Sequence, residues 1–278
     1  MTNSTITAPE LIQEQVTGIL VQPLEAASVV LSSGVRIFDS AEPLRIPTLT
    51  GGINAGFVAE NGLIPDGDVD FGEIKLMPSN RKSIKAMTKF SNELLRQSTV
   101  GLDAVLKGRI VADVSNALDD ALLKGTGADD TITGVINQAG VQTGTLDVTD
   151  TDSLLDALAL AAAAEVTPNR WFLSGADFFA LRKIKDTSGR YIVESDVTAG
   201  ARYSLFGVPV TVTNKLAAGK AVLADTSQIA VVRDLAPSVT VLSERFAEFD
   251  QQAIRVVTRY DLGLLHPEGV VILTAAGS

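Results

Sequence analysis

Three aspartates at alternate positions are the residues of this sequence that most resemble a metal-binding set. Asp66, Asp68 and Asp70 match the first carboxylates of an EF-hand calcium loop. The pattern then fails, because the sixth position is Phe71, where that loop needs glycine, and the twelfth is Met77, where it needs glutamate. The spacing therefore favours an acidic surface segment, with a weak surface cation site as the alternative. We expect no metal site and no cofactor.

Residues that could act as nucleophiles or bases do not form a catalytic set. His266 is the only histidine, it precedes Pro267 in a predicted turn, and the chain has no cysteine. No Gly-x-Ser-x-Gly segment is present to display a serine nucleophile. Gly125, Gly127 and Gly134 lack the Gly-Lys-Ser/Thr that completes a phosphate-binding loop. We therefore predict that the protein is not an enzyme.

The charged residues between positions 59 and 89 are sorted by sign. Acidic residues come first and basic residues follow, in the order Glu60, Asp66, Asp68, Asp70, Glu73, Lys75, Arg81, Lys82, Lys85 and Lys89. Pro65-Asp66-Gly67 inside the acidic part is typical of a tight turn. We predict that the residues from Glu60 to Lys85 form an interface, in which the acidic tip of one copy meets the basic base of another. The alternative is a charged face that only contacts solvent.

Such pairs would select partners more than they would add affinity. An exposed ion pair contributes only about 0–1 kcal/mol. Complementary charge instead fixes the register of two surfaces and excludes wrong partners.

A hairpin and a long helix are the elements that would position these charges. Residues 46–90 are predicted to form the hairpin, since residues 82–90 alternate between its two faces. Ser98 or Thr99 can cap a helix that runs to Lys124, with apolar residues at three–four spacing and Gly125 as its stop. Residues 1–45 are predicted to be an extended arm, and a frayed terminus is the alternative.

The remaining sequence mixes short helices with strands. Thr151 and Ser174 are predicted N-caps of two helices. Residues 239–244 and 252–260 are predicted to be an antiparallel pair of strands. Because helices and strands do not alternate regularly, the predicted fold class is α+β.

Composition restricts the class of partner. The 278 residues carry a net charge of −10, which argues against general nucleic-acid binding, since phosphate contacts need a basic face. A container for nucleic acid is compatible with this charge. No apolar run reaches the ~18 residues of a membrane span, and the first residues lack a secretory pattern. We therefore expect no membrane partner.

Several segments together resemble the major capsid proteins of tailed bacteriophages, which have the Hong Kong 97-type fold. The extended loop of that family is similar to Val58-Ala59-Glu60-Asn61-Gly62, and the exit of its spine helix is similar to Leu122-Leu123-Lys124-Gly125-Thr126-Gly127. A series that is common in these capsids is similar to Gly189-Arg190-Tyr191 followed by Gly207-Val208-Pro209-Val210. The resemblance covers nearly the whole chain.

The resemblance implies four parts. They would be an N-terminal arm (1–45), an extended loop hairpin (46–90), a peripheral domain with the spine helix and long strands (91–125 and 225–265), and an axial domain (126–224 and 266–278). Copies would form the pentamers and hexamers of an icosahedral virion capsid that encloses double-stranded DNA without reading its sequence. Assembly would take place in the cytoplasm of a bacterial host, with scaffold, portal and decoration proteins as further partners.

The sequence departs from some members of that family in two respects. Residues 60–65 contain no lysine, so we expect no covalent crosslink from the loop. The arm begins almost at Met1, so we expect a separate scaffold protein or none. Two alternatives remain at this stage: an encapsulin, which is a protein-filled shell of the same fold, and a soluble α+β binding domain.

Overall fold

The computed structural model describes residues 28–49, 57–58, 71–77, 82–93, 102–128, 130–185, 188–189, 191, 203–242 and 244–275. The α-helices of these residues are α1 (Leu102–Lys124), α2 (Asp152–Ala163) and α3 (Gly175–Leu181). The strands are β1 (Arg36–Asp39), β2 (Leu44–Leu49), β3 (Phe71–Leu76), β4 (Ile84–Ser91), β5 (Gln142–Leu146), β6 (Arg170–Leu173), β7 (Ser204–Leu205), β8 (Val208–Val212), β9 (Lys220–Ala224), β10 (Ile229–Leu242), β11 (Gln251–Leu264) and β12 (Val270–Ala275). This mixture confirms the predicted α+β class.

Two long strands form the centre of a four-stranded sheet with the order β1-β10-β11-β4. β10 and β11 are antiparallel, from Ile229 opposite Leu264 to Leu242 opposite Ala253. The predicted strand pair is thus confirmed, and each strand extends to 14 residues. At the two edges of this sheet, β1 pairs in parallel with β10, and β4 pairs antiparallel with β11.

The pairing of the hairpin differs from the prediction. β2 pairs with β3, from Leu44 opposite Leu76 to Leu49 opposite Phe71. The alternating run at 82–90 does form a strand, but this strand pairs with β11 instead of continuing the hairpin. The physical reason is its apolar face, because Ile84 and Ala86 pack against the core that α1 covers. Residues 50–56 and 59–70, between β2 and β3, lie outside the described residues.

Helix α1 covers one face of the four-stranded sheet. Its buried residues Ile110, Val114, Leu118 and Leu122 recur every four positions, which fits the predicted helical spacing, and they share one apolar cluster with β11 residues such as Ile254. The helix has 23 residues and is therefore about 35 Å long. It ends at Lys124 as predicted, whereas its predicted caps, Ser98 and Thr99, lie outside the described residues.

The loop that follows α1 is bonded tightly to the end of the helix. The Gly134 amide donates a hydrogen bond of 2.8 Å to the Gly125 carbonyl. The side-chain amide of Asn137 donates to the carbonyls of Lys124 at 3.1 Å and Gly125 at 2.9 Å. These bonds satisfy carbonyls that the helix itself leaves without donors.

A six-stranded sheet with the order β5-β12-β9-β6-β8-β7 forms a second core. Helices α2 and α3 pack on this sheet. Its cluster of buried side chains includes Leu154, Trp171, Leu173, Phe178, Leu223 and Val271. The strands come from residues 142–224 and 270–275, so the end of the chain returns into this sheet.

The two predicted N-caps have different outcomes. The Ser174 hydroxyl accepts a hydrogen bond from the Asp177 amide at 3.1 Å, which confirms this cap of α3. Thr151 is the N-cap residue of α2, as predicted, but its side chain makes no capping bond. The Asp150 carboxylate accepts from the Asp152 amide at 3.1 Å instead, and both side chains are chemically competent to cap a helix.

Candidate functional site

Four of the nine residues predicted to form the interface lie in the described part of the chain. Glu73 and Lys75 lie on β3, Lys82 comes just before β4, and Lys85 lies on β4. The other five, which are Glu60, Asp66, Asp68, Asp70 and Arg81, fall outside the described residues. The described members are therefore one acidic residue, Glu73, and three basic residues, Lys75, Lys82 and Lys85.

Glu73 is paired within its own hairpin. Its carboxylate lies 2.5 Å from Lys75 Nζ and 3.6 Å from the Arg45 guanidinium on β2. The hydrogen bond from Lys75 is the main reason that the pKa of the Glu73 carboxyl lies below its usual value. The positive charges of Lys75 and Arg45 lower this pKa further. All of these side chains are exposed, so the pairs fix the strand register more than they stabilise the fold.

Lys82 serves the fold of its own subunit. Its Nζ donates a hydrogen bond of 2.8 Å to the Gly127 carbonyl, and it also donates to the Thr131 carbonyl. The ammonium therefore joins the start of β4 to the loop after α1. A lysine has three N–H donors, and these two bonds hold Lys82 on its own chain.

Lys85 lies on the face of the sheet opposite α1. It stands across from Val257, and two positions further along β4 Met87 stands across from Arg255. Opposed residues of an antiparallel pair project from the same face, so Lys85, Lys89 and Arg255 share one exposed surface. Arg255 was missed in the sequence because 170 residues separate it from Lys85, and only the strand register brings the two together.

The base of the hairpin is fixed to β11. The Met77 amide donates a hydrogen bond of 2.6 Å to the Asp261 carboxylate. Leu76 is packed so closely over Gly263 that a Cβ added there would lie 2.5 Å from Leu76 Cδ2. Exposure rises from 3% at Leu76 to 77% at Phe71, which indicates that the hairpin leaves the body of the subunit beyond its base.

A cavity of about 440 Å³ lies under this hairpin. Its lining includes Glu73, Lys75 and Lys82 together with Arg259 and Asp261. Acidic and basic groups are mixed there, and Arg259 is already paired with Asp234 at 3.0 Å. The cavity thus brings three of the predicted interface residues together.

The described residues also contain no group of three or more His, Cys, Asp or Glu side chains that could hold a metal ion. Asp66, Asp68 and Asp70 lie outside the described residues. Among the same described ranges, no helix is long and apolar enough to cross a membrane. His266 precedes a 3-10 turn at Pro267–Gly269, as the sequence predicted.

Comparison with known sequences identifies a family and a relative. The model of the phage capsid family matches residues 10–275. The major capsid protein of Klebsiella oxytoca phage phiKO2 is 23% identical over 295 residues, an alignment that covers 95% of this chain and 67% of that protein.

Solved structures share the architecture. The capsid of the native GTA particle, computed with C5 symmetry, has a TM-score of 0.74 and 18% identity, with 90% of each chain covered. A chain of Mycobacterium phage Cain has a TM-score of 0.70 and 18% identity, with 100% of each chain covered. At such identities the likeness shows a common fold, which is the Hong Kong 97-type fold predicted above.

Proposed function

Since the chain belongs to the phage capsid family and is a capsid shell protein, we propose that its copies form the pentamers and hexamers of an icosahedral shell around double-stranded DNA. The main support for this proposal is the extent of the family match, which runs from residue 10 to 275 and so includes both sheets and α1. Shell formation needs complementary surfaces and no reacting groups. The protein therefore acts as a structural component of the virion and not as an enzyme.

In this proposal each sheet belongs to a different domain. The four-stranded sheet and α1 belong to the peripheral domain (91–125 and 225–265), and the six-stranded sheet belongs to the axial domain (126–224 and 266–278). The strands of the six-stranded sheet, β5 to β9 and β12, all fall within the axial ranges, which supports this assignment. β1 and β4 join the peripheral sheet from the arm (1–45) and from the extended loop (46–90), so these two parts are anchored in the domain from which they extend.

The interface of the proposal pairs charges from different copies. Glu60, Asp66, Asp68, Asp70 and Glu73 of one copy meet basic residues of the next, which include Lys75, Arg81, Lys82 and Lys85. The internal bonds of Glu73, Lys75 and Lys82 reduce their part in this contact. Lys85 is exposed on β4, whereas Lys75 and Lys82 are already bonded within their own chain.

The remaining partners follow from a shell of this kind. Assembly takes place in the bacterial cytoplasm, with scaffold and portal proteins and with decoration proteins on the finished particle. The enclosed DNA is held without sequence-specific contacts, in agreement with a net charge of −10. The comparisons do not favour the encapsulin alternative, because the family and the relatives named above are phage capsids.

Electron microscopy of the purified full-length chain tests this function. We expect closed particles of uniform diameter that contain five-fold and six-fold capsomers, formed by the chain alone or after addition of a scaffold protein from the same virus. Particles from infected cells should protect double-stranded DNA from nuclease. A chain that stays monomeric in both preparations, or particles filled with an enzyme cargo, would contradict the proposal.

A further inference from the structure

Two backbone carbonyls in the loop after α1 bind the same ammonium group. Lys82 Nζ donates a hydrogen bond of 2.8 Å to the Gly127 carbonyl and also donates to the Thr131 carbonyl. Among the described residues, no other donor reaches either carbonyl. We call these two acceptors the carbonyl cradle. They suit a primary ammonium group, because such a group has three N–H donors and a compact charge.

The loop forms the carbonyl cradle through its own backbone bonds. The Gly127 amide donates to the Ile132 carbonyl at 3.2 Å, and the Thr131 amide donates to the Ala128 carbonyl at 2.9 Å. Both amides are therefore bonded inside the loop, while the carbonyls of the same two residues are directed to the cation. A pair of acceptors that is ordered in advance binds its ligand with a smaller loss of conformational entropy.

Glycine at position 127 is required by the geometry of the cradle. Gly127 has a φ of 76°, which lies in the left-handed region that favours glycine. A Cβ at this position would also lie 2.5 Å from Thr133 Oγ1. A side chain here would therefore displace the carbonyl that Lys82 contacts. Gly127→Ala thus distorts the cradle without changing the lysine.

A cavity of about 350 Å³ adjoins the cradle, where α1, β4 and the loop meet. Lys82, Asp130 and Thr131 are among its polar lining residues. Its apolar lining residues are Ile84, Ala117, Leu118, Ala121 and Ile132. Small-molecule sites in proteins commonly combine a mostly apolar lining with a few polar groups. The apolar part can hold a short alkyl chain, and the charge of Asp130 favours a cation at the polar part.

We infer that the carbonyl cradle and its cavity are a binding site for a primary alkylammonium group, and that Lys82 is the tethered ligand of this site. The lysine comes from just before β4, 45 residues from Gly127 along the chain. Its ammonium therefore couples β4 to the loop that leaves α1, and a change that loosens either one should loosen the other. The inference concerns a single subunit and goes beyond the proposed shell function.

Amide hydrogen exchange of unassembled full-length subunits tests the coupling. Lys82→Met keeps most of the aliphatic stem and removes the ammonium. We expect exchange at residues 126–134 to become about tenfold faster in this variant. Gly127→Ala should accelerate exchange in the loop and also at residues 84–86 of β4. In a chain with both changes, exchange at 84–86 should equal that of Lys82→Met alone, because the shared bond is already absent.

A free amine tests the binding site. Lys82→Ala removes the atoms that correspond to propylammonium and leaves their space open. Propylammonium should slow exchange in the loop of this variant increasingly with its concentration, as a ligand of the folded state does. It should have no such effect on Lys82→Met, because the methionine side chain fills the space. Tetramethylammonium at equal ionic strength carries the charge without an N–H donor and should have no effect on either variant.

Lys75→Met is the matched control, because Lys75 is paired with Glu73 on the hairpin. This variant should leave exchange in the loop unchanged. Unchanged loop exchange in Lys82→Met, or an equal acceleration in the control, would show that Lys82 does not hold the loop and would overturn the inference.

Two further results would each overturn one part of the inference. Equal effects of propylammonium and tetramethylammonium would exclude a specific ammonium site. Acceleration confined to the loop in Gly127→Ala would exclude the coupling to β4. If Lys82→Ala does not fold, the folded fraction at rising propylammonium concentration, measured by circular dichroism, replaces exchange as the test. Shell formation is measured separately, so the proposed function stands whichever result is found.

Discussion

The carboxylate of Asp119, on the buried face of α1, accepts a hydrogen bond of 2.6 Å from the hydroxyl of Ser28. The same carboxylate accepts from the amides of Val29 at 2.9 Å and Val30 at 3.2 Å. Asp119 is 2% exposed, and a buried carboxylate is stable only when donors of this kind surround it. These bonds fix residues 28–30, which belong to the proposed arm (1–45), to α1.

Replacing this carboxylate should detach the segment around Ser28 from the helix. We expect Asp119→Ala to lower the free energy of unfolding by about 3 kcal/mol, since it leaves several buried donors without an acceptor. Urea denaturation of unassembled subunits, followed by circular dichroism, measures the change. Ser28→Ala removes one donor and should cost about 1 kcal/mol. Equal stability of Asp119→Ala and the unmodified chain would show that these bonds do not hold the segment.

Two glycines near α1 should respond to alanine in opposite directions. A Cβ at Gly134 would lie 2.6 Å from the Gly125 nitrogen and 2.7 Å from the Leu123 carbonyl, and neither backbone atom can move aside cheaply. We expect Gly134→Ala to destabilise the subunit by at least ~2 kcal/mol. Gly108 lies within α1 with nothing within 4 Å of an added Cβ, so Gly108→Ala should stabilise it by about 0.5–1 kcal/mol.

The same denaturation experiment compares both glycine variants. Since the chemical change is identical, their difference reports only the local backbone environment. A stability loss for Gly108→Ala would contradict the open space around that helical position. No loss for Gly134→Ala would contradict the close packing of the loop against the end of α1.

Local patterns explain which elements could be predicted from the sequence. Helix α1 was predictable because its apolar residues follow the helical period and Gly125 ends it. The extent of the hairpin was not predictable, because alternation at 82–90 predicts a strand but does not identify the strand with which it pairs. That neighbour, residues 251–258 of β11, is remote in sequence.

The candidate interface was only partly accessible to sequence reasoning for the same reason. Sorting of charge by sign identified the acidic segment and Lys85. The role of Lys82 in bonding the loop after α1, and the position of Arg255 beside β4, depend on tertiary contacts. The family resemblance predicted the fold correctly, but it carried no information on which cations this chain leaves accessible.

The pairing of β1 with β10 should depend on pH through Asp39. The Arg233 guanidinium donates to both carboxylate oxygens of Asp39, at 2.6 and 2.9 Å. This hydrogen bonding is the main reason that the pKa of the Asp39 carboxyl lies below its usual value. A carboxyl with a lowered folded-state pKa adds stability above its unfolded-state pKa of about 3.9 and loses it as the pH falls through the folded-state value.

Comparison with Asp39→Asn isolates this contribution. The unmodified subunit should be more stable than the variant at pH 6, and the difference should shrink between about pH 4 and the lowered pKa. Thermal unfolding in a series of buffers of constant ionic strength measures it. A difference that stays constant down to pH 2.5 would show that the ion pair does not stabilise β1.

The bond between Met77 and Asp261 should control how firmly the hairpin is attached. Asp261→Ala removes the acceptor of the Met77 amide, while Leu76 remains packed over Gly263. We expect amide hydrogen exchange in residues 71–77 to become about tenfold faster, which corresponds to ~1.4 kcal/mol. Exchange in β6 and β9 of the other sheet should not change. Asp261→Asn keeps one acceptor oxygen and should give an intermediate rate. Unchanged exchange at Met77 in both variants would mean that the burial of Leu76 and Met77 alone holds the hairpin base.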